Sequence, residues 1–152
     1  MVDLVDLDSI GLLDPGQLAE VESGGEVTVA YVHGRCDGAK LAMAVAVDLV
    51  VAGPDAIFGM PGAWTDVFVR RGVGICGRSL TKYLSMADRM IDAQRARSCG
   101  LVNLVTADPK ATASALARQI GMRAPLAVHA IVSQAHRGAR GDYVLSLTTD
   151  RG

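Results

Sequence analysis

Between residues 33 and 40, side chains able to act as a nucleophile, a base or an anion ligand follow an apolar, strand-like run. His33, Cys36, Asp37 and Lys40 all lie in this short segment. A cysteine becomes a good nucleophile when a neighbouring base deprotonates it, and His33 is the nearest candidate base. The alternative, which we favour, is that His33 has a structural role.

Lys40 is a positively charged residue at a position where a cation is unfavourable. Asp37 is a suitable N-cap for a helix that we predict from Gly38 to Ala46, so Lys40 falls in the first helical turn. A cation at that position opposes the helix dipole. Pairing with Asp37 and contact with an anionic ligand are two explanations, and simple exposure to solvent is the favoured third.

The segments around this helix alternate between strand and helix patterns. Val27–Val32 is dense in β-branched residues, which is typical of a strand buried on both faces. Gly34–Gly38 is predicted to be a turn, and apolar runs predict strands at Val47–Ala52 and Ala56–Phe58. This alternation indicates an α/β fold class with at least some parallel strand pairing.

The flanking regions carry weaker patterns. We predict a short strand or loop over residues 1–15 and one or two helical turns at Gln17–Ser23. Gly59–Gly77 holds five glycines and no clear period, so it is predicted to be loop-rich. Asp92 should cap, and Gly100 should end, one of the later helices. The later elements are predicted as helices at Arg78–Met90, Ala93–Cys99, Lys110–Met122 and Pro125–His136 and a strand at Leu101–Val105.

Composition limits the class of protein and its partners. The chain has 152 residues, of which half are hydrophobic and 20% charged, and its formal net charge is −1. These values fit one globular domain and give no reason to expect binding to nucleic acid or to a membrane surface. Three widely spaced cysteines make neither a disulfide framework nor a zinc pattern, and two histidines seven residues apart make no metal site. We therefore expect a reduced, cytoplasmic protein without a signal peptide or a membrane span.

Two ordered motifs resemble those of the crotonase (enoyl-CoA hydratase/isomerase) family. Residues 33–48 fit the family's Asn/His-Gly-x-x-x-Gly-Gly-Gly-x-x-Leu-x-x-x-x-Asp spacing without a gap, and residues 90–102 are similar to its Ala-x-x-Ala-x-x-x-Gly-Leu-Val segment. The resemblance implies a crotonase-like fold of ββα units in one domain, residues 1–152. We expect a family-like core at 27–137, a partial N-terminal region at 1–26 and a shortened tail at 138–152. This is a minimal version that lacks much of the family's N-terminal part.

By this resemblance, the site binds an acyl-CoA thioester and stabilises an enolate with two backbone N–H groups. Ala39 is the first donor, at the start of the predicted helix, and Gly38 and Lys40 flank it in the ligand-binding turn. Losing one such donor costs about 3–4 kcal/mol of transition-state stabilisation. The second donor is Val5 or Val2, and Val5 is favoured. The alternatives are an ordinary strand-to-helix turn and no second donor.

The resemblance also shows what chemistry to exclude. The family's two hydratase glutamate positions hold Ala42 and Gly62, so ordinary hydration is not expected. Dihydroxynaphthoyl-CoA synthases, which this segment resembles at 58–62, carry glycine there and use bicarbonate instead. Asp66 is the candidate replacement acid or base, and a solvated loop aspartate is the favoured alternative. Trp64 could pack over the acyl pocket or belong to the core or an interface.

These expectations lead to two main hypotheses. The first is an acyl-CoA-binding protein, with no further cofactor, that performs lyase or isomerase chemistry such as decarboxylation, isomerisation or ring closure. The second is a catalytically degenerate subunit that assembles with itself or with a longer homologue, since the family commonly forms trimers and hexamers. An unrelated small α/β binding module is a third, weaker possibility. Candidates to meet the CoA phosphates are the basic residues Arg70, Arg71, Lys82 and Arg89.

Overall fold

The computed structural model describes residues 2–12, 14–23, 25–60 and 66–140, and shows two β-sheets with helices packed around them. The strands are β1 Val2–Asp6, β2 Val27–Val32, β3 Arg35–Asp37, β4 Leu49–Ala52, β5 Ile57–Gly59, β6 Met90–Asp92 and β7 Leu104–Val105. The helices are α1 Pro15–Ser23, α2 Ala39–Ala46, α3 Asp66–Met86, α4 Ala93–Cys99, α5 Pro109–Gly121 and α6 Pro125–Arg140, with a 3₁₀ turn at Leu7–Ser9.

The larger sheet is parallel throughout and has the order β1-β2-β4-β7. In the smaller sheet, of order β3-β5-β6, β3 and β5 run parallel while β5 and β6 run antiparallel. Each of the two central repeats runs from a strand of the large sheet to a strand of the small sheet and then into a helix. The expected α/β class with ββα units is therefore confirmed.

Strand β2 divides the core because its successive side chains point to opposite faces of the sheet. Val29 and Tyr31 pack with α5, whereas Ala30 and Val32 join the main core on the other face. Helix α2 lies within that main core, and its residues from Leu41 onward are buried on every side. A helix that is apolar all round is a buried one.

Glycines mark two tight places in this arrangement. A Cβ on Gly59 would lie 2.6 Å from the carbonyl oxygen of Arg89, so β5 and β6 approach closely there. Gly77 has φ 84°, which kinks α3 into two helical halves. A Cβ on Gly72 in the first half would lie 3.1 Å from Oγ1 of Thr81 in the second, so the two halves pack side by side.

Several element boundaries differ from the sequence predictions. The turn predicted at Gly34–Gly38 contains strand β3, which exists because it pairs with the distant β5. The segment Gly59–Gly77 is not loop-rich beyond residue 65, because α3 begins at Asp66. The helix predicted at Arg78–Met90 ends at Met86, and the strand predicted at Leu101–Val105 is only the two residues of β7.

Candidate active site

A single glycine with positive φ connects strand β3 of the small sheet to helix α2. Gly38 has φ 53° and ψ −121°, a conformation that side-chain-bearing residues rarely adopt. Gly38, and not Asp37 as predicted, is the N-cap, and no side chain caps this helix. The Asp37 carboxylate pairs instead with Arg35.

Ala39 is the first helical residue, so its N–H has no acceptor within the helix. The earliest amide to bond back is that of Ala42, which donates to the Gly38 carbonyl at 3.0 Å. Ala39 and Lys40 are both only half-buried. The N-terminus of α2 is thus accessible, and free amides together with the helix dipole favour a negatively charged oxygen there.

Asp8 fixes the turn that leads to this helix. Its carboxylate accepts hydrogen bonds from the backbone N–H of His33 at 2.8 Å and of Gly34 at 3.1 Å, and lies 3.1 Å from Nδ1 of the His33 ring. Burial alone would raise the pKa of Asp8, but the two amide bonds together with the His33 ring outweigh it, and the pKa falls below its ordinary value. The His33 ring also meets Tyr31 edge to face, which supports the structural role favoured for it.

Cys36 cannot serve as a nucleophile in this geometry. Its side chain is fully buried beneath the turn, and that burial raises the pKa of the thiol far above its ordinary value. The charges of Lys40, Asp37 and Asp8 also act on the sulfur, so all three groups lie around it. Pairing of Lys40 with Asp37 is not what the structure shows, since Asp37 binds Arg35.

The remaining predicted site residues lie in different surroundings. Val5 is inside β1, in register with Ala30 of β2, and its side chain packs on the main core. Asp66 opens α3, is 75% exposed and binds Nε of Arg70 at 2.8 Å, an ion pair that raises the pKa of Arg70. Their roles as second donor and as acid or base stay predictions. Gly62 and Trp64 lie outside the described residues.

Two further residues of the 33–48 motif, Ala42 and Asp48, are buried or hydrogen-bonded within the fold. Ala42 is fully buried in α2, where a methyl group stands at the family's glutamate position. The Asp48 carboxylate accepts hydrogen bonds from the backbone N–H of Thr28 at 2.8 Å and from its hydroxyl at 3.1 Å. Asp48 thereby connects the start of β4 to the start of β2. Nε2 of His136 on α6 lies 3.7 Å from Oδ1 of Asp48.

The basic residues considered for the CoA phosphates are partly engaged within the chain. Arg70 binds Asp66, and Nε of Arg71 lies 3.4 Å from a Glu22 carboxylate oxygen. Within the described ranges, no group of three or more His, Cys, Asp or Glu side chains is arranged to hold a metal ion. No helix in the same ranges is long and apolar enough to cross a membrane.

A cavity of about 230 Å³ lies at the opposite end of β2, lined by Val27, Ile120, His129 and Val132 among others. The cavity lies beside the amino ends of the parallel strands, whereas the turn into α2 follows their carboxyl ends. The six residues of β2 separate the two places by about 20 Å. We place the candidate site at the α2 turn, because there free amides and a helix N-terminus converge.

Comparison with known proteins defines the class. The family model described as "Enoyl-CoA hydratase/isomerase" matches residues 14–151. The chain is 36% identical over 110 residues to "Probable enoyl-CoA hydratase 2, mitochondrial" from Arabidopsis thaliana, covering 66% of this chain and 36% of that protein. It is 27% identical over 154 residues to "Putative enoyl-CoA hydratase/isomerase YngF" from Bacillus subtilis, covering 95% of this chain and 58% of that protein.

Solved structures show the same fold. An enoyl-CoA hydratase/isomerase from Cupriavidus metallidurans superposes with a TM-score of 0.77 at 23% identity, covering 88% of this chain and 53% of that one. Pseudomonas aeruginosa DspI superposes with a TM-score of 0.75 at 21% identity, covering 96% and 68%. The fold is therefore that of the crotonase superfamily, and the chain belongs to the enoyl-CoA hydratase/isomerase family. It spans only 36% and 58% of the lengths of the two sequence relatives named above.

Proposed function

We propose that this protein binds an acyl-CoA thioester at the α2 turn, with the Ala39 N–H donating to the thioester oxygen. The observation that carries the proposal is the accessible, uncapped N-terminus of α2, held out by the positive-φ Gly38. A donor fixed before the ligand arrives stabilises developing oxyanion charge without reorganising. Family membership supports the thioester as the ligand class.

The reaction that fits this site is enolate chemistry without the hydratase glutamates. Ala42 offers a buried methyl group, so it can neither position water nor move a proton. Decarboxylation, isomerisation or ring closure needs the oxyanion donor more than it needs a carboxylate pair. In this proposal Asp66 supplies the acid or base, released from Arg70 when the ligand is bound, and Val5 supplies the second donor.

Calorimetry with an Ala39→Pro variant tests this binding mode. Proline lacks the N–H, and the first helical position tolerates it because that N–H has no partner in the helix. Gly38 can precede proline, since glycine freely adopts positive φ. Ala39→Gly is the control, which keeps the N–H while removing the Ala39 side chain, as proline also changes that side chain.

The ligand series separates the thioester contact from other contacts. A hydrogen bond of about 0.5–1.5 kcal/mol predicts that Ala39→Pro weakens acetyl-CoA and crotonyl-CoA binding about 2- to 13-fold. Free CoA has no thioester carbonyl, so its affinity should not change in either variant. Equal affinities of wild type and Ala39→Pro for every thioester would remove Ala39 from the site, and no binding by the folded wild type would reject the proposal.

A second candidate function is a catalytically degenerate subunit that assembles with itself or with a longer homologue. The observation that favours it is the exposure of large apolar side chains on two helices, including Met86 at 75% on α3 and Leu126 at 85% on α6. Exposed apolar surface of this kind is commonly covered by association. Sedimentation of the chain alone and co-expressed with a longer family member tests the assembly, and calorimetry of each assembled form with acetyl-CoA separates this candidate from the first, because a degenerate subunit binds no thioester itself.

A further inference from the structure

Two cysteines lie where the kink of α3 meets the end of α4. Cys76 directly precedes Gly77, whose φ of 84° makes the kink, and Cys99 directly precedes Gly100, whose φ of 93° ends α4. A Cβ on Gly100 would lie 3.2 Å from the carbonyl oxygen of Ile75. The two chain segments that carry these cysteines are therefore in direct contact.

The two thiols are neighbours at this contact. The Cys99 thiol donates to the carbonyl oxygen of Ala96 at 3.3 Å, which leaves its sulfur free to accept. Burial and the neighbouring Cys99 thiol together raise the pKa of Cys76 to about 11, although the Thr81 hydroxyl acts to lower it. The two cysteines thus lie beside each other where α3 and α4 meet.

Cys36 provides an internal contrast. Cys76 and Cys99 are both only half-buried. Cys36 is fully buried and lies under the α2 turn. An oxidant in solution therefore has access to the facing pair and not to the third cysteine.

We propose that Cys76 and Cys99 are a site of reversible oxidation, closing an intrachain disulfide when the protein meets a peroxide. The Cys99 thiol loses its proton and attacks a peroxide oxygen, because the raised pKa of Cys76 disfavours its thiolate; the O–O bond breaks and hydroxide leaves, giving a sulfenic acid. The second thiolate then attacks that sulfur, the S–O bond breaks and a second hydroxide leaves. Two thiols are oxidised and one hydrogen peroxide is reduced to two waters.

The disulfide would tie the kink of α3 to the end of α4. A bond between residues 76 and 99 closes a loop of about 24 residues and constrains the unfolded chain. If it forms without strain, the melting temperature should rise by about 7–14 °C. This site is independent of the proposed thioester binding, because neither cysteine belongs to the α2 turn.

Peptide mapping of the full-length chain tests the proposal. The reduced protein is treated with hydrogen peroxide, alkylated without unfolding and digested with trypsin. Cys76 and Cys99 fall in separate peptides, Gly72–Arg78 and Ser98–Lys110. We expect these two peptides linked, with the loss of two hydrogens, reversal by dithiothreitol and Cys36 unalkylated in the native protein.

Single variants complete the test. Cys76→Ser and Cys99→Ser should lose the linked peptide and the rise in melting temperature while keeping the circular dichroism of the reduced wild type. The proposal is overturned if folded wild type yields the two cysteines as separate sulfinic acids, as disulfides between chains, or unoxidised.

Discussion

Replacing Asp8 should destabilise the protein and do so in a pH-dependent way. The Asp8 carboxylate accepts two backbone hydrogen bonds, from His33 and Gly34, and hydrogen bonds to a charged group contribute about 1.5–3 kcal/mol each when buried. The side chain is 31% exposed, so water offsets part of this. The His33 ring is 55% exposed, and its pairing with Asp8 adds little. We expect Asp8→Ala to lower the free energy of unfolding by about 2–4 kcal/mol.

Asp8→Asn separates charge from shape. It keeps one of the two acceptor oxygens and replaces the other with an NH2 group, so it loses the negative charge and one of the two backbone hydrogen bonds; we expect a loss of about 1–2 kcal/mol at neutral pH. The pKa of Asp8 is lowered in the folded state, so its charge adds stability above the pKa of the unfolded chain. That contribution is lost as the pH falls through the lower, folded pKa. The difference between wild type and Asp8→Asn should therefore shrink from pH 7 toward pH 3.

Urea unfolding of wild type, Asp8→Ala and Asp8→Asn at pH 7, 5 and 3 measures these terms. The free energies of unfolding come from linear extrapolation, and equal slopes for all three proteins exclude a change in the unfolded state. The reasoning would be refuted by an Asp8→Ala variant within about 0.5 kcal/mol of wild type. A wild type to Asp8→Asn difference that stays constant with pH would refute the assigned role of the charge.

Two further predictions concern packing around the site. Gly59→Ala should lower the free energy of unfolding by about 1–3 kcal/mol, because its Cβ would meet the Arg89 carbonyl. The matched control is Gly121→Ala, which has open space around it and should be neutral or slightly stabilising. Thermal unfolding measures both. Thr28→Val should cost about 1–2 kcal/mol in the same assay, because the Asp48 carboxylate loses the hydroxyl that bonds to it; a neutral result would contradict the clamp assigned to this pair.

Elements set by local signals were predictable from the sequence. Val27–Val32 forms β2 with the predicted bounds, because a run of β-branched residues suits a strand covered on both faces. Helix α4 also has its predicted bounds. The Asp92 side chain accepts from the N–H of Arg95, and Gly100 ends the helix with φ 93°. Both signals operate within a few residues and need no knowledge of the fold.

Elements set by distant contacts were not predictable. The glycines of α3 suggested a loop, but Gly72 is small because Thr81 packs against it across the kink. Strand β3 is three residues long and depends on pairing with β5, more than twenty residues further along the chain. Such pairing leaves no periodic pattern in a short segment.

The candidate site was predictable in part. The turn before α2 was predicted from the residue pattern, and the role of Ala39, which the family resemblance implies, stays a prediction. Asp8 was missed because its partners lie twenty-five and twenty-six residues away. One signal could have found it: an acidic residue just after the first strand of a parallel sheet, at the edge where the carboxyl ends of β1 and β2 meet. Polar residues at such an edge commonly build ligand sites.

The central claim is that the Ala39 N–H donates to a thioester oxygen, and isotope-edited infrared spectroscopy tests it most directly. Acetyl-CoA labelled with carbon-13 at the thioester carbonyl is bound to wild type, to Ala39→Gly and to Ala39→Pro. We predict that the carbonyl stretch moves to lower frequency on binding to wild type and to Ala39→Gly, because a hydrogen bond at the oxygen weakens the C=O bond, and that most of this shift is absent in Ala39→Pro. An identical shift in all three proteins, or no shift in bound wild type, would contradict the claim.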